Sequence, residues 1–264
     1  MKPVVTLLTD FGTADYFVAA VKGVILTINP LVSLVDITHE IPPQDIEAGA
    51  FTLLTCYRDF PPGTIHLAVV DPGVGSTRRA IVVSASAQFF VGPDNGLFSY
   101  VYDREASHKA FHVTAKEYFR SSPSPTFHGR DIFGPVAAAL SNGLKPKKLG
   151  PRIGDQIRLP SLSPVKEANG KLRGRIIHID HFGNCLTNFT RAELAGLTRF
   201  ELRVKRKVIR EVRSFFAEGG GPQTDCNQIF AIWGSAGFLE IAINGGSAAE
   251  ALQAERGEPV IVSA

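Results

Sequence analysis

Apolar positions along the first third of the chain alternate between two kinds of run. Residues 4–9 are almost continuously apolar and end in Asp10, as a buried strand would. Between 15 and 28, Phe17, Val21, Val24, Ile25 and Ile28 fall at offsets 0, 4, 7, 8 and 11. That spacing predicts a helix with one apolar face, stopped by Asn29-Pro30. Residues 32–36 predict a second strand, 45–56 a helix entered from Pro42-Pro43, and 65–70 a third strand. The βαβαβ rhythm implies a mostly parallel sheet with helices packed on it. Residues 80–84 and 88–92 predict a strand pair leading into the turn Gly92-Pro93-Asp94-Asn95-Gly96. Residues 131–140 predict a third helix, ended by Asn142-Gly143.

The pattern then changes. From 145 to 174 the chain is rich in Pro, Lys, Gly and Ser and has no long apolar period. Short β-rich runs follow at 175–179, 185–189, 200–204, 208–212, 229–233 and 238–243, the spacing of a small antiparallel barrel or sandwich. A short helix over 247–254 and a strand over 259–262 close the chain. The fold class is therefore α/β: a mostly parallel N-terminal sheet with packed helices, then a smaller all-β, barrel-like domain. The expected division is 1–150 for the α/β domain, 151–173 for a linker and 174–264 for the β domain.

A hydrophobic content of 44% over 264 residues is enough for sizeable cores. The net charge of +3 is mild and has no concentrated basic stripe, which argues against nucleic acid as a partner. The densest basic runs, 145–148 and 203–210, are short. Cys56, Cys185 and Cys226 are odd in number and form no C-x-x-C pair, so a disulfide framework or zinc knuckle is not indicated. A reducing, cytoplasmic setting fits them best. The first ten residues are too short an apolar run for a signal peptide. No run approaches the roughly 20 apolar residues that cross a bilayer, so no membrane partner is expected. His178 and His181 are three apart in a strand-like context with no third ligand in reach, so no metal site is expected. Walker A and Gly-x-Ser-x-Gly patterns are missing from the sequence.

Chemistry concentrates in a few segments. Asp71 ends an apolar run, is followed by Pro72-Gly73-Val74-Gly75, and precedes Arg78 and Arg79. A carboxylate at a strand end beside a glycine turn sits where open α/β sheets keep their ligands. A strand end with a solvated acid and a surface arginine pair would read the same way. Asp10 has the same strand-end position and can take both hydroxyls of a ribose, while Asp15 can serve as a helix N-cap. Phe127-His128-Gly129-Arg130-Asp131 offers a loop histidine, an N-cap in Asp131 and an ion-pair partner for it in Arg130. Asp180-His181-Phe182-Gly183-Asn184 reads as a hairpin turn. It also sets an acid, an aromatic face and an amide side by side, a set suited to a stacked nucleobase with a cationic group nearby.

Taken in order, Leu8–Gly12, Val70–Gly75, Gly92–Gly96, Thr126–Asp131 and Asp180–Asn184 resemble the adenosine-forming S-adenosyl-L-methionine (SAM) hydrolases, or SAM hydroxide adenosyltransferases, relatives of fluorinase and chlorinase. The resemblance spans nearly the whole chain. It implies attack of water at C5′ of the ribose, giving adenosine and L-methionine, with SAM as substrate and no further cofactor. It implies a homotrimer with SAM bound between neighbouring subunits. A catalytic Asp–Arg–His set carries over to Asp71, Arg78 and His128, Arg78 being chosen over Arg79 by its distance of seven residues from Asp71. Asp10 corresponds to a ribose-binding acid, Asp180 to a residue near the methionine end, Phe182 and Asn184 to the adenine site, and Ser235 to a position near the methionine carboxylate. Fluorinase has a tyrosine where this chain has Asp71, a threonine at Val74, a halide-contacting serine at Gly129 and a carboxylate-binding arginine at Ala236.

The chemistry constrains the roles. The sulfonium leaves as a neutral thioether, so no general acid is needed. Free hydroxide at pH 7 would cost about 12 kcal/mol, so water attacks and loses its proton during or after bond formation. A carboxylate paired with a guanidinium is a poor base, which assigns Asp71 and Arg78 to holding water and leaves His128 as the expected proton acceptor. The alternatives are a non-catalytic SAM- or adenosine-binding module, a 5′-halogenase disfavoured by Asp71 and Gly129, and a SAM-dependent methyltransferase. The last is suggested by Asp71-Pro72-Gly73-Val74-Gly75 but not by the β-rich C-terminal part.

Overall fold

The computed structural model describes residues 2–197, 199–218 and 228–264; Cys226 lies outside the described residues. The chain divides into two compact units, one ending at Ser161 and the other beginning at Leu162.

In the first unit, β1 (Val4–Thr9), β2 (Ser33–Thr38), β3 (Ile65–Val69), β4 (Ala80–Ala85), β5 (Gln88–Pro93), β6 (Lys109–His112) and β7 (Arg152–Ile153) form one sheet in the order β2-β1-β3-β5-β4-β6-β7. Pairing is parallel from β2 to β5 and antiparallel beyond, so β4 and β7 run against the other strands. The central strands are buried on both faces, which is why they read as continuous apolar runs. Val5 and Leu7 of β1 join one core with Val21 and Ile25 of α1 (Phe17–Ile28) and with later helical residues Val136 and Leu140. Leu8, pointing the other way, meets Gly49 of α2 (Ile46–Cys56). Thr6 and His66 are register partners on β1 and β3, and their side chains hydrogen-bond at 2.8 Å in the core.

Two expected caps are not formed. Asp15 is not the N-cap of α1: the cap position is Tyr16, without a side-chain hydrogen bond. The helix entry is held instead by Phe17, which packs on Phe11 and Phe127. Asp131 lies inside a π-helical turn, Gly129–Phe133, that runs into α4 (Gly134–Ser141). Its fully buried carboxylate accepts from Ser124 N at 2.8 Å and from Arg130 Nε at 2.7 Å. It therefore ties the loop before His128 to the helix rather than capping it. The six-residue α3 (Ser99–Arg104) was not anticipated: its first four residues are all buried, so it shows no amphipathic period.

In the second unit, β8 (Val165–Lys166) pairs with β9 (Leu172–Ile179). The remaining strands are β10 (Cys185–Thr190), β11 (Glu201–Val204), β12 (Lys207–Ile209), β13 (Val212–Arg213), β14 (Ile229–Trp233), β15 (Phe238–Ile243) and β16 (Pro259–Ser263). They follow the path β12-β11-β16-β9-β10-β15-β14-β13, curled into a half-barrel. Pairing is antiparallel apart from β13 with β14. Ile176, Phe189, Leu202, Leu239, Ile241 and Val260 fill its core. Ser247 caps α5 (Ala248–Leu252), accepting from Glu250 N at 3.1 Å. Residues 151–173, read as a linker, carry β7, β8 and the start of β9.

Candidate active site

The adjacent parallel strands β1 and β3 deliver Asp10 and Asp71 from their carboxyl ends into one cavity of about 430 Å³ in the first unit, which His128, Thr126, Phe11 and Gln44 also line. Asp71 is gripped by Arg78: Nε donates to Oδ1 at 2.9 Å, and Nη2 makes a second, shorter contact with Oδ2. The side chains are 6% and 9% exposed, so this is a nearly buried, bidentate ion pair. The Arg78 guanidinium also lies over the Phe133 ring, 5.1 Å from its centre. Gly75 makes the intervening loop possible. Its φ is +78°, and a Cβ there would come 2.5 Å from Pro125 O.

His128 sits at the entrance to the π-helical turn, with Nδ1 2.6 Å from Arg78 Nη2. Burial and the Arg78 charge hold its pKa below the ordinary imidazole value, against the weaker opposing pull of Asp71 and Asp131. Arg79, the neighbouring arginine, turns away from the cavity to Asp94 and Asp155. Asp10 accepts from the backbone N of Gln44 at 2.8 Å through Oδ2, and Gln44 is itself in the left-handed region, with φ of 66°. Among the described residues nothing pairs with Asp10 Oδ1.

The second unit holds the other expected residues, around a cavity of about 990 Å³. Asp180 organises the β9–β10 hairpin. Oδ1 accepts from Phe182 N and Asn184 N, both at 2.9 Å, and Oδ2 accepts from Asn184 Nδ2 at 2.8 Å. Gly183 takes φ of +82° tight against Ser247. The turn thus fixes Asn184 in a buried position and leaves the Phe182 ring 74% exposed. Ser235 lies in the tight turn between β14 and β15, closed by Gly237 N donating to Gly234 O at 3.0 Å.

So Asp10, Asp71, Arg78 and His128 come together in one unit, and Asp180, Phe182, Asn184 and Ser235 in the other. Sequence reading missed two residues on the second cavity, Glu240 and Asn244. The signal for Glu240 was available: it is a lone acid inside the apolar run of β15. Burial and the neighbouring Asp180 push its carboxyl up to about 7. Among the described residues, no group of three or more His, Cys, Asp or Glu is arranged to hold a metal ion. No helix among them is long and apolar enough to cross a membrane.

The first unit's cavity lies at the carboxyl ends of parallel strands, where open α/β proteins bind their ligands. The chain belongs to the SAM hydroxide adenosyltransferase family, whose N-terminal domain matches residues 5–150 and whose C-terminal domain matches residues 174–261. It is 38% identical to an (R)-S-adenosyl-L-methionine hydrolase of Thermus thermophilus, over 98% of this chain and 99% of that protein. A fluorinase of Nocardia brasiliensis is 29% identical over 74% of each chain. An uncharacterised conserved protein of Thermotoga maritima has a crystal structure that superposes with a TM-score of 0.89, at 35% identity, covering 98% of this chain and all of that one.

Proposed function

We propose that this protein hydrolyses SAM to adenosine and L-methionine. The observation that carries this reading is the Asp71–Arg78–His128 cluster, which stands beside Asp10 at the carboxyl ends of β1 and β3. Asp10, with one carboxylate oxygen uncommitted, holds the ribose hydroxyls. A water oxygen attacks C5′, the C5′–S bond breaks with its electron pair passing to sulfur, and the water loses one proton. The products are the neutral thioether of methionine and the 5′-hydroxyl of adenosine.

Asp71 orients the water in this scheme, since Arg78 fixes the carboxylate plane and the remaining lone pairs accept from water. Holding a nucleophile in line supplies several kcal/mol of a barrier. His128 takes a different part from the proton acceptor expected of it. Its Nδ1 accepts from a guanidinium that does not release its proton, so the neutral ring carries hydrogen on Nε2 and donates there. The proton then leaves to solvent, since Asp71, paired with Arg78, is a poor base. The scheme needs no cofactor besides the substrate.

We further read the enzyme as a cytoplasmic homotrimer in which the two groups of residues are completed by neighbouring chains. The first unit carries exposed apolar side chains suited to such contact, among them Tyr16, Leu26, Ile28 and Leu31. Incubating the purified protein with SAM and identifying products by mass tests the activity; adenosine with methionine is expected. S-adenosylhomocysteine, 5′-chloroadenosine or unchanged SAM would reject it. Light scattering at assay concentration tests the trimer, and a fully active monomer would reject it.

A further inference from the structure

The loop that carries Asp71 and Arg78 is gripped at both flanks by two adjacent residues of the turn 92–96. At one flank, Asn95 Nδ2 donates to the carbonyl of Val70, the residue before Asp71, at 2.8 Å. At the other, Asp94 N donates to the carbonyl of Arg79, the residue after Arg78, at 3.0 Å, and Asp94 Oδ2 accepts from Arg79 Nε at 2.8 Å. Neither Asp94 nor Asn95 lines the first unit's cavity. The turn is itself fixed. Gly92 lies so close to β3 that a Cβ there would stand 2.3 Å from Ala68 O. Asp94 is 2% exposed, and its Oδ1 accepts from Ile157 N at 2.9 Å. Asn95 Oδ1 accepts from Leu97 N at 3.2 Å, a turn that leads into α3.

Regular strand pairing has ended where Asn95 acts. The β3–β5 register stops at Leu67 and Val91, and β3 itself stops at Val69. Val70 leaves the sheet as a fully buried residue, and a buried carbonyl needs a donor. Asn meets that need while holding its own turn, because its amide carries a donor and an acceptor on one short arm.

We propose that Asn95 is a positioning residue for the reaction: through Val70 it sets where Asp71 stands, and with Asp94 it holds Arg78 against His128. This rests on SAM hydrolysis being the activity. The lever is short. The Val70 carbonyl is bonded directly to the backbone of Asp71, and Arg78 meets Asp71 Oδ1 at 2.9 Å and His128 Nδ1 at 2.6 Å. Inside the loop, Val74 N donates to Asp71 O and Ser76 N to Gly73 O. Those bonds are local turns that move with the loop and do not anchor it to the sheet. Asn95 therefore acts on the water's site from behind. A shift of Asp71 displaces the water, while Asp10, on β1, still holds the ribose, so turnover and binding separate.

The test uses the full chain, with SAM as substrate and adenosine as a competitive inhibitor. Asn95→Ser keeps an oxygen for the Leu97 turn but is too short to reach Val70. Asn95→Asp keeps the length and the acceptor but has no donor. Both should lower kcat by about 10- to 100-fold, approaching the loss that a misplacement of about 1 Å brings, while KM for SAM and Ki for adenosine stay within about threefold of wild type. The second readout is the acid limb of kcat. Arg78, Asp71 and Asp131 are the charged groups that act on His128; burial holds its pKa down and Arg78 adds to this. Loosening Arg78 from Nδ1 should move the limb up, towards the ordinary imidazole value, in both variants. A merely structural role would lower Tm and leave the limb in place. Assays run well below each variant's Tm, and if one variant does not fold the other decides. Unchanged kcat, a loss confined to KM, a loss of adenosine affinity equal to the loss of turnover, or a lowered kcat with an unmoved limb overturns the positioning role. Any of these with active wild-type protein leaves the proposed activity standing; wild-type protein inert toward SAM rejects the activity and the role together.

Discussion

Asp71 and His128 are held by the same guanidinium, Asp71 through Nε and Nη2 of Arg78 and His128 through Nη2 alone. The two candidate catalytic side chains are therefore not independent. Protonating His128 would set an N–H against an N–H at 2.6 Å and break the contact, while removing Asp71 would leave a 9%-exposed cation unpaired.

The first consequence is an acid limb in the rate. His128 is held below its ordinary value of 6.5 by burial and by Arg78. The working neutral form is thus complete above that value and is lost as pH falls through the lowered one. Under saturating SAM, kcat should be flat above the ordinary imidazole value and should decline only below it. His128→Asn, which cannot titrate, should lose most of the rate and also the acid limb. A limb above the ordinary imidazole value would contradict the neutral donor.

Asp71→Asn should lower kcat by at least about a hundredfold, the scale on which displaced catalytic geometry is felt. It should also destabilise the protein by roughly 3–5 kcal/mol, because it strips the partner from a buried charge. Adenosine binding, read by calorimetry on the folded variant, should persist. Turnover within a few-fold of wild type would remove Asp71 from the mechanism.

A stability prediction comes from the core. His66 is fully buried beside Thr6 and stacked on Phe90, and burial pushes its pKa down from 6.5 to about 4. The unfolded chain binds a proton at pH 5 that the folded chain refuses. Stability is therefore intact above about pH 6.5 and lost progressively as pH falls towards about 4, by roughly 3 kcal/mol in all. His66→Phe should flatten that part of the melting-temperature profile. An equally steep profile in the variant would place the acid sensitivity elsewhere.

Much of this architecture is legible from hydrophobic pattern, for a physical reason. Parallel strands buried on both faces must be continuously apolar, so an acid such as Asp10 or Asp71 marks where each run leaves the core. What pattern does not reveal is where a polar side chain finds its partner. Asp131 has the spacing of a cap, yet it is spent on Arg130 and the backbone of Ser124. Arg78 and Arg79 are chemically identical neighbours, and the fold sends one to Asp71 and His128 and the other to Asp94. Asp180 lines the second cavity as a ligand-facing acid would and also accepts three hydrogen bonds from its own turn, whereas Glu240 is hidden in an apolar strand.

The last prediction concerns the nucleophile. Asp71 puts negative charge where an attacking halide would stand, and two unit charges about 4 Å apart repel by about 4 kcal/mol at an effective dielectric of 20. Arg78 offsets part of this, but its Nε and Nη2 are already engaged with Asp71 and His128. Gly129 adds no hydroxyl, and a side chain there would press on Phe11, whose Cζ lies 3.3 Å from where a Cβ would be. Water, which can donate to Asp71 and accept from His128, is the nucleophile these groups suit. In H₂¹⁸O containing excess chloride, the adenosine formed should carry ¹⁸O at its 5′ oxygen, with 5′-chloro-5′-deoxyadenosine at most a trace. Gly129→Ser should lower the hydrolytic rate through the crowding at Phe11 without turning the product to the chloride. Chloroadenosine as the main product of the wild-type protein, or adenosine lacking the label, would reject attack of water at C5′.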